Sequence, residues 1–274
     1  MKKLFNPDNL KLLEALSFTP TLYAFDFDGT LSEIVRNPQD ATIKNSTDLL
    51  LKELAQHAPV AVISGRSISD LKTRLKFVPP HIIGNHGLEG LGTRPDALEI
   101  AHKTCVEWRK YLESHLSKEE FNAGLEIEDK SFSLAVHYRK CPSKKKAKLD
   151  ILNIVANLDP KPRIILGKCV VNLLPPGAPH KGVALVELML QTGIKSAFYI
   201  GDDDTDEDVF SLPNARILTV RVGKKNSSQS QFYIHEQNEI DRVLKTILRF
   251  YDSPKSKSGA DQVVERKDAL HGRA

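Results

Sequence analysis

The chain is 274 residues long and 41% hydrophobic, with a formal net charge of +4, which allows one large domain or two and gives little support to a nucleic-acid partner. Cys105, Cys141 and Cys169 are scattered without metal-ligand spacing and indicate no disulfide framework, which suits reduced thiols in the cytoplasm. Asn6, Pro7 and Asp8 interrupt the signal-like start, and no later stretch approaches the ~20 apolar residues of a membrane span, so no membrane association is expected.

Strands and helices alternate through the first part of the chain. The apolar run before Asp26 predicts a strand over 22–27, then a helix over about 45–56, a strand over 60–64, a helix over about 68–76 and a strand over 81–84. Ser67 and Asp70 offer the second helix a partial capping box. This order is that of a parallel α/β sheet. From there the pattern changes. A helix near 103–116 carries Cys105, Trp108, Leu112 and Leu116 on one face, and strand-like runs follow at 124–128 and 132–138. A helix at about 143–158 with Ala147, Ile151, Ile154, Val155 and Leu158 along one face leads to a strand pair at 162–166 and 169–174, hinged by Gly167. The insert has the order αββαββ. Alternation resumes with a helix over about 181–191, a strand over 196–201, a short helix after an acidic run, a strand over 217–222 and a last helix near 236–251. The predicted fold is therefore α/β, a Rossmann-like parallel-sheet core with an inserted α+β cap domain. Residues 1–95 form the first part of the core, 96–168 the cap and 169–252 the second part of the core, while 253–274 have the composition of a disordered tail.

Asp26-Phe27-Asp28-Gly29-Thr30-Leu31 carries the strongest functional signal. Side chains at i and i+2 of a strand share a face, so both carboxylates can reach one cleft where the strand ends, one as nucleophile and metal ligand, the other as an acid. A strand end followed by an Asx turn needs only one of them. Three later segments each supply a group that phosphoryl transfer uses. Ser64 closes the strand Val60-Ala61-Val62-Ile63, Lys181 opens a helix, and Asp202-Asp203-Asp204-Thr205-Asp206 follows the strand Ala197-Phe198-Tyr199-Ile200-Gly201. Taken alone, Ser64 is equally a turn residue and Pro179-His180-Lys181-Gly182 an ordinary helix start. The acidic run places Asp at alternate positions as a calcium loop does, but its sixth position is Glu207 rather than Gly and its twelfth is Pro213 rather than Glu. The helix macrodipole accounts for Glu207 and Asp208, not for three consecutive Asp ahead of them.

In content and order these segments resemble the four motifs of the haloacid dehalogenase-like phosphatases, over about residues 20–95 and 168–222. The resemblance implies that Asp26 attacks phosphorus and forms an aspartyl phosphate that water hydrolyses. It implies that Asp28, with a pKa raised toward neutrality, protonates the departing sugar oxygen and then takes a proton from that water. Ser64 and Lys181 would hold phosphoryl oxygens. The implied cofactor is Mg2+, since a hard cation relieves the repulsion between a carboxylate and a phosphate dianion. Its implied ligands are Asp26, the backbone carbonyl of Asp28 and Asp202, with Asp203 or Asp206 behind them holding waters and Lys181.

A narrower resemblance, covering the chain to about residue 250, is to the trehalose-6-phosphate phosphatases. It rests on Ser64-Gly65-Arg66, Gly84-Asn85-His86-Gly87-Leu88-Glu89, Leu134-Ala135-Val136-His137-Tyr138-Arg139, Pro175-Pro176-Gly177 and Gly201-Asp202-Asp203-Asp204-Thr205-Asp206-Glu207. It implies that His86 and Glu89 contact sugar hydroxyls, that Arg66 lies near the substrate mouth, and that the cap closes over the disaccharide of trehalose 6-phosphate. Asn172 is an implied substrate contact that departs from the family, which carries Glu there; an amide still bonds hydroxyls but removes a negative charge. Arg139 and the lysines at 144, 145, 146 and 148 are either cap contacts to phosphate or a solvated face. The implied partner is a small-molecule sugar phosphate, with trehalose-6-phosphate synthase as a candidate protein partner of a monomeric enzyme. Rival readings are a sucrose- or mannosyl-phosphate phosphatase, a phosphomutase, and a catalytically silent sugar-phosphate sensor, although a sensor has no need of Asp28.

Overall fold

The computed structural model describes residues 1–35, 37–92, 95–116, 119 and 123–252, and the tail expected at 253–274 lies outside them. The first part of the chain forms β1 (Lys2–Lys3), α1 (Pro7–Leu16), β2 (Thr21–Phe25), α2 (Asn45–His57), β3 (Val60–Ile63), α3 (Ile68–Arg74) and β4 (His81–Ile83). An insert follows with α4 (Pro95–His115), β5 (Glu126–Asp129), β6 (Leu134–His137), α5 (Lys144–Val155), β7 (Arg163–Gly167) and β8 (Val170–Leu174). The chain then returns through α6 (Lys181–Thr192), β9 (Ser196–Gly201), α7 (Glu207–Phe210), β10 (Ile217–Val222), β11 (Phe232–Ile234) and α8 (Ile240–Asp252).

The core sheet is parallel throughout, in the order β1-β11-β10-β9-β2-β3-β4. A parallel sheet is covered on both faces, so its strands read as unbroken apolar runs. In β2 the alternation is still visible in the packing. Tyr23 and Phe25 join the cluster under α1, α2, α3 and α8, while Leu22 and Ala24 face α6 and α7. Ser67 caps α3 as expected, its Oγ accepting the Asp70 N–H at 3.2 Å. The two-residue β1, the helix α1 and the short β11 are core elements that the sequence reading omitted, since strands this short show no periodicity.

The insert is a four-stranded antiparallel sheet, β5-β6-β8-β7, with α4 and α5 packed on one face. Trp108, Leu112, Ile151 and Val155 pack there on Leu134, Val136, Val171 and Leu173, and the Trp108 Nε1–H donates to the Pro160 carbonyl at 3.1 Å. This corrects the expected cap boundary at 168. β8 pairs with both β6 and β7, so the cap runs to Leu174 and the core resumes after it.

Candidate active site

Strands β3 and β4 lie on one side of β2 and β9 to β11 on the other, so a crevice opens where the order reverses, beyond the carboxyl ends of the strands. Asp26 and Asp28 follow β2, Ser64 follows β3 and Asp202 follows β9. Gly29 lets these loops meet. It sits at a φ of +78°, and a Cβ there would lie 2.2 Å from an Asp202 carboxylate oxygen. Only glycine combines that backbone conformation with no side chain.

The floor of the crevice is a closed set of charges. Lys181, buried at the start of α6, donates from Nζ to Asp26 Oδ1 and to Asp206 Oδ1, both at 2.8 Å. Tyr199 of β9 donates its hydroxyl to the same Asp206 oxygen at 2.7 Å. The other oxygen of Asp206 accepts the Asp202 and Asp203 N–H groups at 2.8 and 3.0 Å. Asp206, not Asp203, therefore holds Lys181. Asp203 turns away and accepts from the Thr205 N–H and hydroxyl at 2.7 and 2.6 Å. Arg221 of β10 braces the loop from outside, giving Nη1 to the Asp203 carbonyl and to Glu207, each at 2.9 Å.

Asp26, Asp202 and Asp206 bring one oxygen each within 4.8 Å of one another. Neither Asp28 nor Asp203 contributes a side chain to this cluster. Burial drives Asp26 well above the usual carboxylate range, and Asp206 and Asp202 add to that against the pull of Lys181. Burial, with Asp206 and Asp203 nearby, pushes Asp202 up to about 8. Burial alone lowers the Lys181 ammonium, yet Asp206 and Asp26 outweigh it and hold it well above its ordinary value. Three carboxylates thus share one ammonium, and the pocket has the composition of a site for a hard cation.

Three of the candidate residues make contacts that the sequence did not show. Arg66 lines the cleft, as expected, with most of its side chain buried. Its Nε and Nη2 donate to the two Asp28 oxygens at 2.7 and 2.6 Å, Nη1 to Asp70 at 2.7 Å, and Nη2 also to the Pro38 carbonyl at 2.8 Å. Glu89 does not line the cleft. One of its oxygens accepts the Ile68 N–H at 2.8 Å, at the start of α3, and the Asn85 amide at 3.0 Å. A carboxylate that satisfies a helix-terminal N–H organises the loop and is not offered to a sugar. Asp28 is the third: it lines the cleft, and each of its two oxygens accepts one bond from Arg66.

Ser64 and His86 do line the cleft. Ser64 Oγ accepts the Arg66 N–H at 3.2 Å. His86 adopts a φ of +58° and packs its ring against Gly65, where a Cβ would come within 2.5 Å. Its buried Nδ1 has no hydrogen-bond partner among the described residues. Burial, reinforced by Lys181, Lys130 and Arg163, pushes the imidazole well below its ordinary pKa, so it is neutral.

The cap faces this floor with the side of its sheet that carries no helices. Strand register puts Glu128, Ala135, Asn172 and Ile165 in one row across the four strands, and His137, Val170 and Gly167 in the next. Glu128 and His137 are bonded at 2.8 Å. Lys130 reaches from the cap to the Gly65 carbonyl at 3.3 Å and to Asn172 Oδ1 at 3.5 Å. Asn172 is therefore at the cleft, as expected. Arg139 and Lys148 also line it, whereas Lys144, Lys145 and Lys146 are solvated. The cleft between the two sheets measures about 660 Å³. Sequence reasoning missed Glu128, Lys130, His137, Tyr199 and Arg221. Glu126 and Glu128 alternating about Ile127 in β5 were a usable signal for the first, and none existed for a tyrosine in an apolar strand.

Comparison with known proteins follows the same outline. The sequence pattern of the trehalose-phosphatase family matches residues 24–238. A trehalose-6-phosphate phosphatase of Escherichia coli (strain K12) is 30% identical over 231 residues, covering 77% of this chain and 83% of that protein. A Mycobacterium tuberculosis protein described as an uncharacterized glycosyl hydrolase is 36% identical over 201 residues, which cover 68% of this chain but only 15% of its own length. The crystal structure of a trehalose-6-phosphate phosphatase related protein superimposes with a TM-score of 0.67 at 23% identity, covering 85% of this chain and all of that one, and supports the fold. Among the described residues no helix is long and apolar enough to cross a membrane.

Proposed function

This chain belongs to the trehalose-phosphatase family, and from that premise we propose that it hydrolyses trehalose 6-phosphate to trehalose and phosphate through an aspartyl phosphate on Asp26, with Mg2+ as cofactor. The observation that carries the reading is the convergence of Asp26, Ser64 and Lys181 beneath a polar row of the cap sheet, in one cleft large enough for a disaccharide.

Asp26 supplies the nucleophilic oxygen. Its bond to phosphorus forms as the bond from phosphorus to the sugar oxygen breaks, and Asp28 gives that oxygen its proton. Lys181 and Ser64 bind the phosphoryl oxygens, so charge that grows in the transition state meets a cation and a hydroxyl donor already in place. Water then attacks the phosphoryl group and Asp28 takes its proton, releasing phosphate and restoring Asp26. The acidic cluster fits a hard divalent ion, with Asp26 and Asp202 as the residues to hold it, because Asp206 already accepts from four donors. Mg2+, when bound, supplies the positive charge that lets the Asp26 carboxylate and the phosphate dianion approach. The sugar would be held by neutral His86 from below and by Glu128, Lys130, His137 and Asn172 from the cap, groups that pair with hydroxyls in both directions.

The test is turnover of a panel of sugar phosphates, with Mg2+ and with EDTA, by the chain and by Asp26→Asn. The expected result is Mg2+-dependent phosphate release that prefers trehalose 6-phosphate and is absent from Asp26→Asn, whose circular dichroism is unchanged. Preference for sucrose 6-phosphate or glucose 6-phosphate would remove the substrate assignment, and full activity of Asp26→Asn would remove the mechanism.

A further inference from the structure

Resting on that phosphatase reading, we propose that Arg66 is a positioning residue that acts through Asp28: its guanidinium fixes the acid-base carboxylate at the cleft wall and makes no contact with substrate. Of the five N–H donors of a guanidinium, four are committed, two to Asp28 and one each to Asp70 and the Pro38 carbonyl. The side chain is buried, and the Phe27 ring lies 5.5 Å from its central carbon. The far end is anchored as firmly. Asp70 also accepts from Arg74 Nε and Nη2 at 2.9 and 2.6 Å, and Arg74 closes on the Gln39 and Ala41 carbonyls at 2.7 and 2.9 Å. The relay Arg74–Asp70–Arg66–Asp28 thus ties α3 and the loop at 38–41 to one catalytic carboxylate.

The fork has a chemical consequence. With both oxygens accepting from Arg66, Asp28 has the geometry of a proton acceptor, the state needed when water attacks the phosphoryl group. In that step an O–H bond of water breaks and its proton passes to Asp28, while the water oxygen bonds phosphorus and the bond to Asp26 breaks. Once protonated, Asp28 keeps only one of its two contacts with Arg66, and its O–H is released for the sugar oxygen of the next substrate. Lysine at 66 could supply the charge but not the two-point fork.

The test is a double-mutant cycle of Arg66→Gln with Asp28→Asn, read on trehalose 6-phosphate and on nitrophenyl phosphate, whose leaving group needs no proton. Arg66→Gln is expected to lower kcat for trehalose 6-phosphate by about tenfold or more with little change in KM, and to lower nitrophenyl phosphate turnover less, because that substrate needs Asp28 only for the water step. Added to Asp28→Asn, it should cause no further loss, and Arg66→Lys should fall between Gln and the parent. The same factor of loss in both backgrounds, or a rise in KM alone, would show that Arg66 acts independently of Asp28 or grips the sugar, and overturns the proposal. If Arg66→Gln fails to fold, Asp70→Asn loosens the same anchor and its loss should vanish in the Asp28→Asn background. If the parent ignores trehalose 6-phosphate, the substrate assignment fails alone. The same cycle, read on the sugar phosphate that the parent does turn over, then decides.

Discussion

The floor of the cleft and the cap above it are built to different standards. On the floor, Lys181, Asp206 and Tyr199 are fully enclosed and bonded at 2.7 to 2.8 Å. On the cap, Lys130 makes only contacts of 3.3 and 3.5 Å, and Glu128 and Asn172 are half-buried. The difference separates two tasks. A group that must meet charge developing in a transition state gains from being fixed in advance. Groups that recognise a flexible disaccharide complete their hydrogen bonds on the sugar itself, and cost little when it is absent.

The sharpest way to break this contrast is to strip the floor of its cation. Lys181→Met leaves Asp26 and Asp206 enclosed without a counter-charge. The expected loss of stability is about 3–5 kcal/mol, read by chemical denaturation, with phosphate release abolished in whatever fraction folds. An unchanged midpoint would mean that the floor is less enclosed than its geometry states.

The corresponding change above is Lys130→Met. Losing a charge-assisted contact to a hydroxyl should reduce kcat/KM for trehalose 6-phosphate by about 10- to 100-fold, leave nitrophenyl phosphate turnover intact and barely move the melting temperature. Equal losses on both substrates would assign Lys130 to the chemistry and erase the division. Glu89→Gln tests the boundary between the regions. Because Glu89 bonds the Ile68 N–H and Asn85 rather than the cleft, the expected result is about 1–3 kcal/mol of lost stability and the same modest fall in activity on both substrates. A loss confined to the sugar phosphate would return Glu89 to the binding site.

The smallest expected effect is on pH. Asp202 is pushed up to about 8, so the folded chain keeps a proton that the unfolded chain loses near pH 4. Without metal, the stability from this group is present below pH 4 and is lost as pH rises toward 8. At the proposed Mg2+ site ionised Asp202 would be the ligand, so Mg2+ should raise the melting temperature more at pH 8 than at pH 5. A metal shift independent of pH would exclude Asp202 from the ion.

The domain order was legible because α/β alternation and the switch to antiparallel pairing leave different periodicities in the chain. The order αββαββ already counted 169–174 with the insert, and the pairing of that strand with β6 and β7 agrees with the order and not with a boundary at 168. Asp26, Ser64, Lys181 and the acidic loop were legible because each stands where an element begins or ends. Arg66 and Glu89 were placed near the cleft, but whether a side chain faces substrate or a neighbouring loop is decided by its hydrogen-bond partners, Asp28 and Asp70 for one, Ile68 and Asn85 for the other.

By itself, then, the sequence determined the elements, their order and the residues present at the strand ends, since propensity, alternation and turn chemistry act over a few neighbours. Only the tertiary structure decided that Asp206 rather than Asp203 holds Lys181, that Arg66 serves Asp28, and that Glu128, Lys130 and Asn172 meet over the floor. Those contacts join positions 25 to 42 residues apart, and no local preference encodes them. They follow from sheet order and register, which burial of both core faces and one cap face imposes on the whole chain at once.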